Sequence, residues 1–349
     1  MELTLRTLDA AELASSPQFA RVAREVYRDD PHWAAPSEAV IAERARDAVE
    51  GRIHLHGVVA LAGDRPVARA AAIVEPAAVA PSGARQGWIG LFECREDARQ
   101  AGVAVLSDRR RWLRDRGLTE ISAPRSDALR GGLLTSGFDE PHVVLTPYNP
   151  AYYPEVFAAA GFVPSTRMVG YRFSRDRAPR IPVPAGLGLR VRPVDPNDWA
   201  GEVARLHAFQ ETVFANRAAR VPRPPDGTGL LADRLRQVID PDLCLIAEDA
   251  KGRTVGVLLC LPDVWQQRPA GASPDRARLL SIGLLPGWRG RGAALAMGAA
   301  LAEQLLGKGY QSLEASWVRG DNVRPQRLAR ALGAVPSRGL TIYDGSGPP

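Results

Sequence analysis

The residues of this chain whose types and spacing best suit chemistry are Arg289-Gly290-Arg291-Gly292-Ala293-Ala294. Glycines let a backbone come close to a ligand, and arginines supply positive charge, so the combination serves an anion such as a phosphate. The flanks fit the same purpose. Leu279 to Leu285 is an apolar run of strand length, closed by the turn pair Pro286-Gly287. Beyond the loop, small or apolar residues recur at Leu295, Gly298, Ala302 and Leu305 with helical spacing. Strand, glycine turn and helix in that order create a fresh helix N-terminus, whose unpaired N–H groups and positive dipole end attract a phosphate.

The elements that position this loop belong to a chain of 349 residues, long enough for two domains, since single cores stop growing at about 250–300 residues. Hydrophobic residues make up 45% and charged residues 24%, the balance of a globular protein with ample core. Lys251 and Lys308 are the only lysines, and with abundant Ala, Gly and Pro this is a high-GC bacterial coding pattern. The net charge of +6 therefore says little about nucleic acid, which is not expected as a partner because the basic residues form no single run and aromatics are only 6%. Cys94, Cys244 and Cys260 stand far apart, with no CxxC, so neither a disulfide framework nor a zinc site is indicated. His54 and His56 share one face of a strand but have no third ligand nearby, and no metal is expected. MELTLRTLDAAEL is no signal peptide, and no apolar run reaches membrane-spanning length, so a cytoplasmic location is expected.

The sequence also repeats itself. LTLRTLDAAEL from Leu3 answers LRVRPVDPNDW from Leu189, each an alternating strand followed by an Asp able to cap a helix. The hairpin Ala60–Val67 answers Ile246–Val255, Ile89-Gly90-Leu91-Phe92 answers Ile282-Gly283-Leu284-Leu285, and Ile121-Ser122-Ala123 answers Leu313-Glu314-Ala315. Last, Gly161-Phe162-Val163-Pro164-Ser165 answers Gly333-Ala334-Val335-Pro336-Ser337, after about twenty extra residues in the first half around Pro124 to Tyr148. The expected division is a first domain over 1–174, a Pro-rich linker over 175–188, and a second domain over 189–349.

Arg289-x-x-Gly292-x-Ala294 after an apolar strand resembles the pyrophosphate motif of the GNAT acyltransferases. The repeated order of strand, helix, hairpin, strand, helix, strand, helix and strand pair fits that fold twice. The fold class this implies is mixed α/β (an α+β mixed sheet) with two tandem GNAT-like domains. Tyr27 to Trp33, Phe92-Glu93-Cys94, Gly137-Phe138-Asp139, Tyr148 to Tyr153 and Ser316-Trp317-Val318 also resemble segments of a bacterial family of tandem GNAT-like proteins. The halves differ at the loop. Matched through Phe92, the first half sets Glu96 opposite Arg289 and Arg99 opposite Gly292. Its Glu93-Cys94-Arg95-Glu96-Asp97 has no glycine and three carboxylates, so it is expected to repel a pyrophosphate, leaving the second half as the active one.

The resemblance implies an N-acyltransferase that moves an acyl group, acetyl above all, from acyl-CoA directly to an amine of a small-molecule acceptor. It assigns cofactor binding to Ile282, Leu284, Leu285, Arg289, Gly290, Arg291, Gly292, Ala293, Ala294 and Asn322, with Leu284 contacting the thioester through its backbone. The family's acid is often a Tyr in Asn-x-x-Ala-x-x-x-Tyr; counted from Asn322, that position is Ala329. Tyr343 on the final strand is then the candidate acid, with water as the alternative. Glu314, Asp263 and Asp321 are the candidate bases, each also readable as a structural or solvated charge. Trp265 and Trp317 are candidate walls of an acceptor pocket or plain packing, and Arg109-Arg110-Arg111 is expected to be a solvated helix face. Mycothiol synthase and the Fem-type transferases resemble the chain in having paired GNAT-like domains. A non-catalytic acyl-CoA-binding protein is the reading from a different class.

Overall fold

Each repeat opens on a strand whose following aspartate starts a helical segment. After β1 (Leu3–Leu8), Asp9 caps α1 (Ala10–Ser15) in a reciprocal box: its carboxylate accepts from Glu12 N–H at 2.8 Å, and Glu12 accepts from Asp9 N–H at 3.0 Å. After β8 (Leu189–Pro193), Asp195 accepts from Asn197 N–H at 2.9 Å and leads into α6 (Trp199–Phe214). The computed structural model describes residues 2–34, 37–76, 82–125, 131–178, 181–214, 236 and 238–347. Between β1 and β8 lie α2 (Pro17–Val26), α3 (Ser37–Val49), β2 (His54–Ala62), β3 (Arg65–Val74), β4 (Gln86–Cys94), α4 (Arg99–Arg114), β5 (Glu120–Arg125), β6 (Leu133–Ser136), α5 (Tyr153–Ala159) and β7 (Val163–Ser174). After α6 come β9 (Cys244–Asp249), β10 (Thr254–Pro262), β11 (Arg276–Leu284), α7 (Ala293–Gly307), β12 (Ser312–Arg319), α8 (Val323–Ala331) and β13 (Val335–Asp344).

The chain forms two compact units, Met1–Met168 with Arg338–Pro349, and Val169–Ser337. The first unit's sheet runs β1-β2-β3-β4-β5-β13, with β6 also on β13; the second's runs β7-β12-β11-β10-β9-β8. The pairs β4·β5 and β11·β12 are parallel, with α4 and α7 as their crossovers. The last strands are exchanged: β13, from the second repeat, pairs with β5 at Tyr343↔Ala123, and β7, from the first repeat, neighbours β12. β7 runs twelve residues without a turn, so it leaves its own repeat instead of folding back. The Pro-rich residues 181–188 fall within the second unit and lead into β8.

Each core lies between a sheet face and its crossover helix. In the first unit Val58, Ala70, Ile89 and Phe92 meet Ala101, Val105 and Leu113 of α4 and Tyr153 and Phe157 of α5. In the second, Leu245, Val255, Leu258, Ala277 and Leu284 meet Ala293, Met297, Leu301 and Leu305, four residues apart on one face of α7. Burying each Leu or Met there stabilises by roughly 1.5–3 kcal/mol, which fixes the helix against β11 and hence its N-terminus against the strand end. Gly256 allows the close approach: a Cβ there would meet Leu284 Cδ2 at 2.7 Å and Met297 Sδ at 2.9 Å.

Candidate active site

The site begins with a bulge. β10 pairs with β11 at Leu258↔Ile282 and Leu259↔Ser281, then at Cys260↔Leu279, so Leu280 is an extra residue in β11. On the other side, the pairing of β11 with β12 runs from Arg276↔Ser312 to Leu279↔Ala315 and ends there. Both strands continue, β11 to Leu284 and β12 to Arg319. A bulge bends its strand and sharpens the twist, and this one parts β11 from its parallel neighbour. Leu280 to Leu284 thus have β10 on one edge and, among the described residues, no strand partner on the other, with Ile282 38% exposed. A ligand carrying amide groups can add there as a strand does.

The free edge leads to the glycine loop. Pro286–Trp288 forms one 3₁₀ turn, Gly290 and Gly292 take φ of 76° and 94°, and Gly292 is the N-cap of α7 without a side-chain cap. Both angles lie where L side chains are strained, which is why glycine stands at both positions. The Arg289 side chain does not point its Nε at an anion: that group donates to the Leu284 carbonyl at 2.9 Å and braces the strand end. Of the two arginines expected to supply charge, Arg291 is exposed with no such tie. Because β11 and β12 are parallel, the segment after β12 sits at the same end of the sheet, and there Asn322 is exposed at the N-cap of α8.

The three candidate bases separate by geometry. Asp263 is fully buried and paired with Arg276, and its carboxylate accepts from Trp265 N–H at 3.3 Å, so it ties the end of β10 to the start of β11. Asp321 pairs with Arg319 at the surface, which holds its carboxyl below the usual range. Glu314 is 2% exposed on β12 and accepts from the Ser337 hydroxyl at 3.0 and 3.2 Å. Its register partner is Arg278, about 7 Å along the strand from the Leu280 bulge at the usual 3.3 Å rise; Arg276, beside Asp263, is about 13 Å away. Arg278, Ser316 and Ser337 join Glu314 on this part of the sheet, with Arg278 Nε donating to Ser316 Oγ at 3.2 Å. The sequence reading did not single these out, although Ser337 closes the repeated Val-Pro-Ser.

Ala329 is buried with Ala334 against Tyr171, whose hydroxyl donates to Gln326 at 3.3 Å. The space a Tyr at 329 would need is therefore filled by a ring from β7, a strand of the first repeat. Tyr343 lies in the first unit's core, paired with Ala123 and 5.5 Å from the Phe157 ring, so it is not gathered with Glu314, Asp263 and the loop residues of the second unit. Trp317 stacks under Arg278, 5.7 Å from its centroid. Of the histidines, His56 stacks on Trp112 at 4.8 Å and meets Arg109, which with Arg110 is buried, so the triple-arginine stretch is not a solvated face.

The first unit's corresponding loop is built differently from expectation. Its three carboxylates are neutralised: Glu93 by Arg69, Glu96 by Arg99, and Asp97 by Arg95 and Arg65. Arg65, Arg95 and Arg99 cancel the repulsion foreseen for a bare acidic loop. The strand ends Cys94 and Leu284 are 190 residues apart, as are the 3₁₀ turns starting at Glu96 and Pro286, but the helices begin 194 apart, at Arg99 and Ala293. Four residues, Arg289 to Gly292, are thus extra in the second unit, and the Ile-Gly-Leu match through Phe92 is three residues out of structural register.

Residues 209–334 match the model of the acetyltransferase (GNAT) family. Over 95% of the chain and 94% of its own length, a protein of Caulobacter vibrioides named a bacterial ceramide synthase is 24% identical. A solved tandem GNAT protein from the clavulanic acid biosynthesis pathway covers 100% of both chains at 16% identity with a TM-score of 0.64. The GCN5-related N-acetyltransferase of Sphaerobacter thermophilus covers 99% of this chain and 96% of its own at 18% identity and a TM-score of 0.60. These two structures share the fold. No helix among the described residues is long and apolar enough to cross a membrane.

Proposed function

Because the chain belongs to the GNAT acyltransferase superfamily, we propose that its second unit transfers an acyl group from acyl-CoA to a primary amine, forming an amide. The observation that carries this is the coincidence of three features: the bulge at Leu280, the end of β12 pairing at Leu279↔Ala315, and the uncapped helix start at Gly292. The amides of Gly290 to Ala294 hold the pyrophosphate, with Arg291 beside them and Asn322 at the neighbouring helix start. The free edge from Leu280 to Leu285, including Ile282 and Leu284, receives the pantetheine arm. One backbone N–H of that edge stabilises the oxyanion as the amine nitrogen attacks the thioester carbon. Glu314 takes the proton the amine loses, directly or through one water. The C–S bond then breaks, and the thiolate leaves with a proton from water, since neither Ala329 nor Tyr343 supplies a phenol.

The relatives support two pairings of donor and acceptor. The family description of residues 209–334 favours an acetyl group and a small amine. The ceramide synthase match spans nearly all of both chains, whereas the family model covers part of one. A ceramide is the amide of a fatty acid with a long-chain amino alcohol, so this match favours a fatty acyl-CoA and an amphiphilic amino alcohol, and we adopt that pairing. The deciding experiment offers acetyl-CoA and palmitoyl-CoA in turn, each with a panel of small amines and with sphinganine in detergent, and follows release of the CoA thiol. Turnover with palmitoyl-CoA and sphinganine supports the adopted pairing. Turnover confined to acetyl-CoA and small amines replaces it, and none with any pair sinks the transferase reading.

A further inference from the structure

The segment before β8 reads Ile181-Pro182-Val183-Pro184-Ala185-Gly186-Leu187-Gly188, and its two halves have opposite stiffness. Prolines at 182 and 184 fix their own φ and push the residues before them into extended backbone, so the first half is a stiff rod. Gly186 and Gly188, with φ of 72° and 59°, give the turn that feeds the rod into β8. The rod is thus anchored to the sheet at one end.

One of its contacts with the rest of the unit is at the cofactor loop. A Cβ built on Gly292 would lie 2.6 Å from Pro184 Cγ and 2.9 Å from Cδ, so the ring rests on the Gly292 backbone where no side chain fits. Beside this contact the segment stands off the body, leaving an open cavity of about 460 Å³ lined by Val183, Leu187, Arg190, Asp249 and Ala296. The ring of Pro184 therefore touches the N-cap while its neighbours arch away.

A loop with glycines at 290 and 292 has more backbone freedom to lose than one with side chains at those positions, and an anion cradle binds best when its N–H groups are already aimed. We propose that Pro184 is a positioning residue for the cofactor loop: the Pro-rich rod is a splint that holds Gly292 and so aims the amides of 290–294, an inference that rests on the second unit binding acyl-CoA there. The splint acts through Gly292 and touches no reacting atom. It also gives Gly292 a second reason to be glycine, independent of the ligand.

The test uses the full chain with Pro184→Ala, which removes the ring atoms that make the contact. Hydrogen exchange of peptides covering 286–296 is followed without ligand, and CoA binding is measured by calorimetry. Freeing two or three loop residues should speed exchange there and raise the Kd for CoA by about tenfold each, with kcat at saturating acyl-CoA unchanged. Gly292→Ala should destabilise the wild type more than it destabilises Pro184→Ala, because without the ring the added methyl loses its clash. Unchanged exchange, or faster exchange with an unchanged Kd, overturns the proposal. Should the wild type bind no CoA while exchange and the double variant behave as stated, the splint stands and the acyl-CoA reading falls.

Discussion

The two units share strands, crossover helices and repeat order, yet they part at one point. In the second, β12 runs four residues beyond its last pair with β11, and the strand end is followed by Arg289 to Gly292 before the helix begins. In the first, β4 carries a matching bulge, with Ala71↔Gly90 followed by Arg69↔Glu93, and its described pairing with β5 ends at Gly90↔Arg125, leaving Leu91 to Cys94 beyond it. The helix follows its 3₁₀ turn directly, and Tyr152 and Tyr153 close over the strand end, with Tyr152 donating to the Cys94 carbonyl at 2.6 Å. Both units part their parallel strands near the bulge; the second is open at the helix start, and the first is filled there. What distinguishes the unit proposed to bind the cofactor from the other is four residues of loop and the absence, among the described residues, of tyrosines over its strand end, more than the signs of a few charges.

The largest effect should come from making the second unit like the first. Deleting Arg289 to Gly292 removes the cradle and joins the 3₁₀ turn to the helix, as in the first unit. Acyl-CoA binding should be lost, lowering affinity by at least about a thousandfold, while cooperative unfolding is retained. On the intact chain, calorimetry should give one acyl-CoA per chain. A stoichiometry of two would break the comparison, since the filled unit would then bind as well.

Within the open unit, Glu314→Gln keeps the Ser337 contact available and removes the proton acceptor. We expect kcat to fall by about 10²–10⁴-fold with CoA affinity nearly unchanged. A wild-type kcat would pass the role to a group outside Glu314, and equal losses in kcat and binding would show that Glu314 shapes the cleft.

Much of this difference was legible in the sequence, and the illegible part has a physical cause. Glycine spacing and an apolar strand are local signals, so the loop, its helix and the tandem fold could be read from residues alone. The splay could not, because the Leu280 bulge is a matter of register between three strands. The repeat match at Ile-Gly-Leu was off by three residues because two apolar strands look alike at several offsets. Tyr343 and Tyr171 show the same limit at longer range: exchanged last strands place each in the unit of the other repeat, and no local pattern reports a strand exchange.

The first unit's role as a filled scaffold is tested at Glu93. Its carboxylate accepts from Tyr27 at 2.9 Å and Tyr153 at 2.7 Å and faces Arg69 at 3.8 Å, a cluster joining three of the sequence segments noted above. Glu93→Leu leaves the buried Arg69 charge without its carboxylate, which should destabilise the protein by about 3 kcal/mol in urea. Burial pushes the Glu93 carboxyl above its ordinary 4.5, with Arg69 and the two phenols pulling the other way. A raised folded value means the native state holds this proton more tightly than the unfolded chain. The contribution is present below pH 4.5 and is lost as pH rises through the folded value. Going from pH 4 to pH 7, the wild-type urea midpoint should therefore fall relative to that of Glu93→Gln; a constant difference between the two would show that the folded carboxyl is not raised.

The smallest effect is expected at Tyr343. The resemblance made this phenol a candidate acid, yet its ring packs on Phe157 within the first unit's core, and burial pushes its pKa up, away from proton transfer near neutral pH. A thiolate also leaves readily without help, so an acid on this side of the reaction gains little. Tyr343→Phe preserves the ring and removes only the hydroxyl. It should change kcat by no more than about twofold, with acyl-CoA affinity unaltered. A fall of a hundredfold would mean that the hydroxyl of a residue in the filled unit serves the chemistry of the open one, and the division between scaffold and site would have to be redrawn.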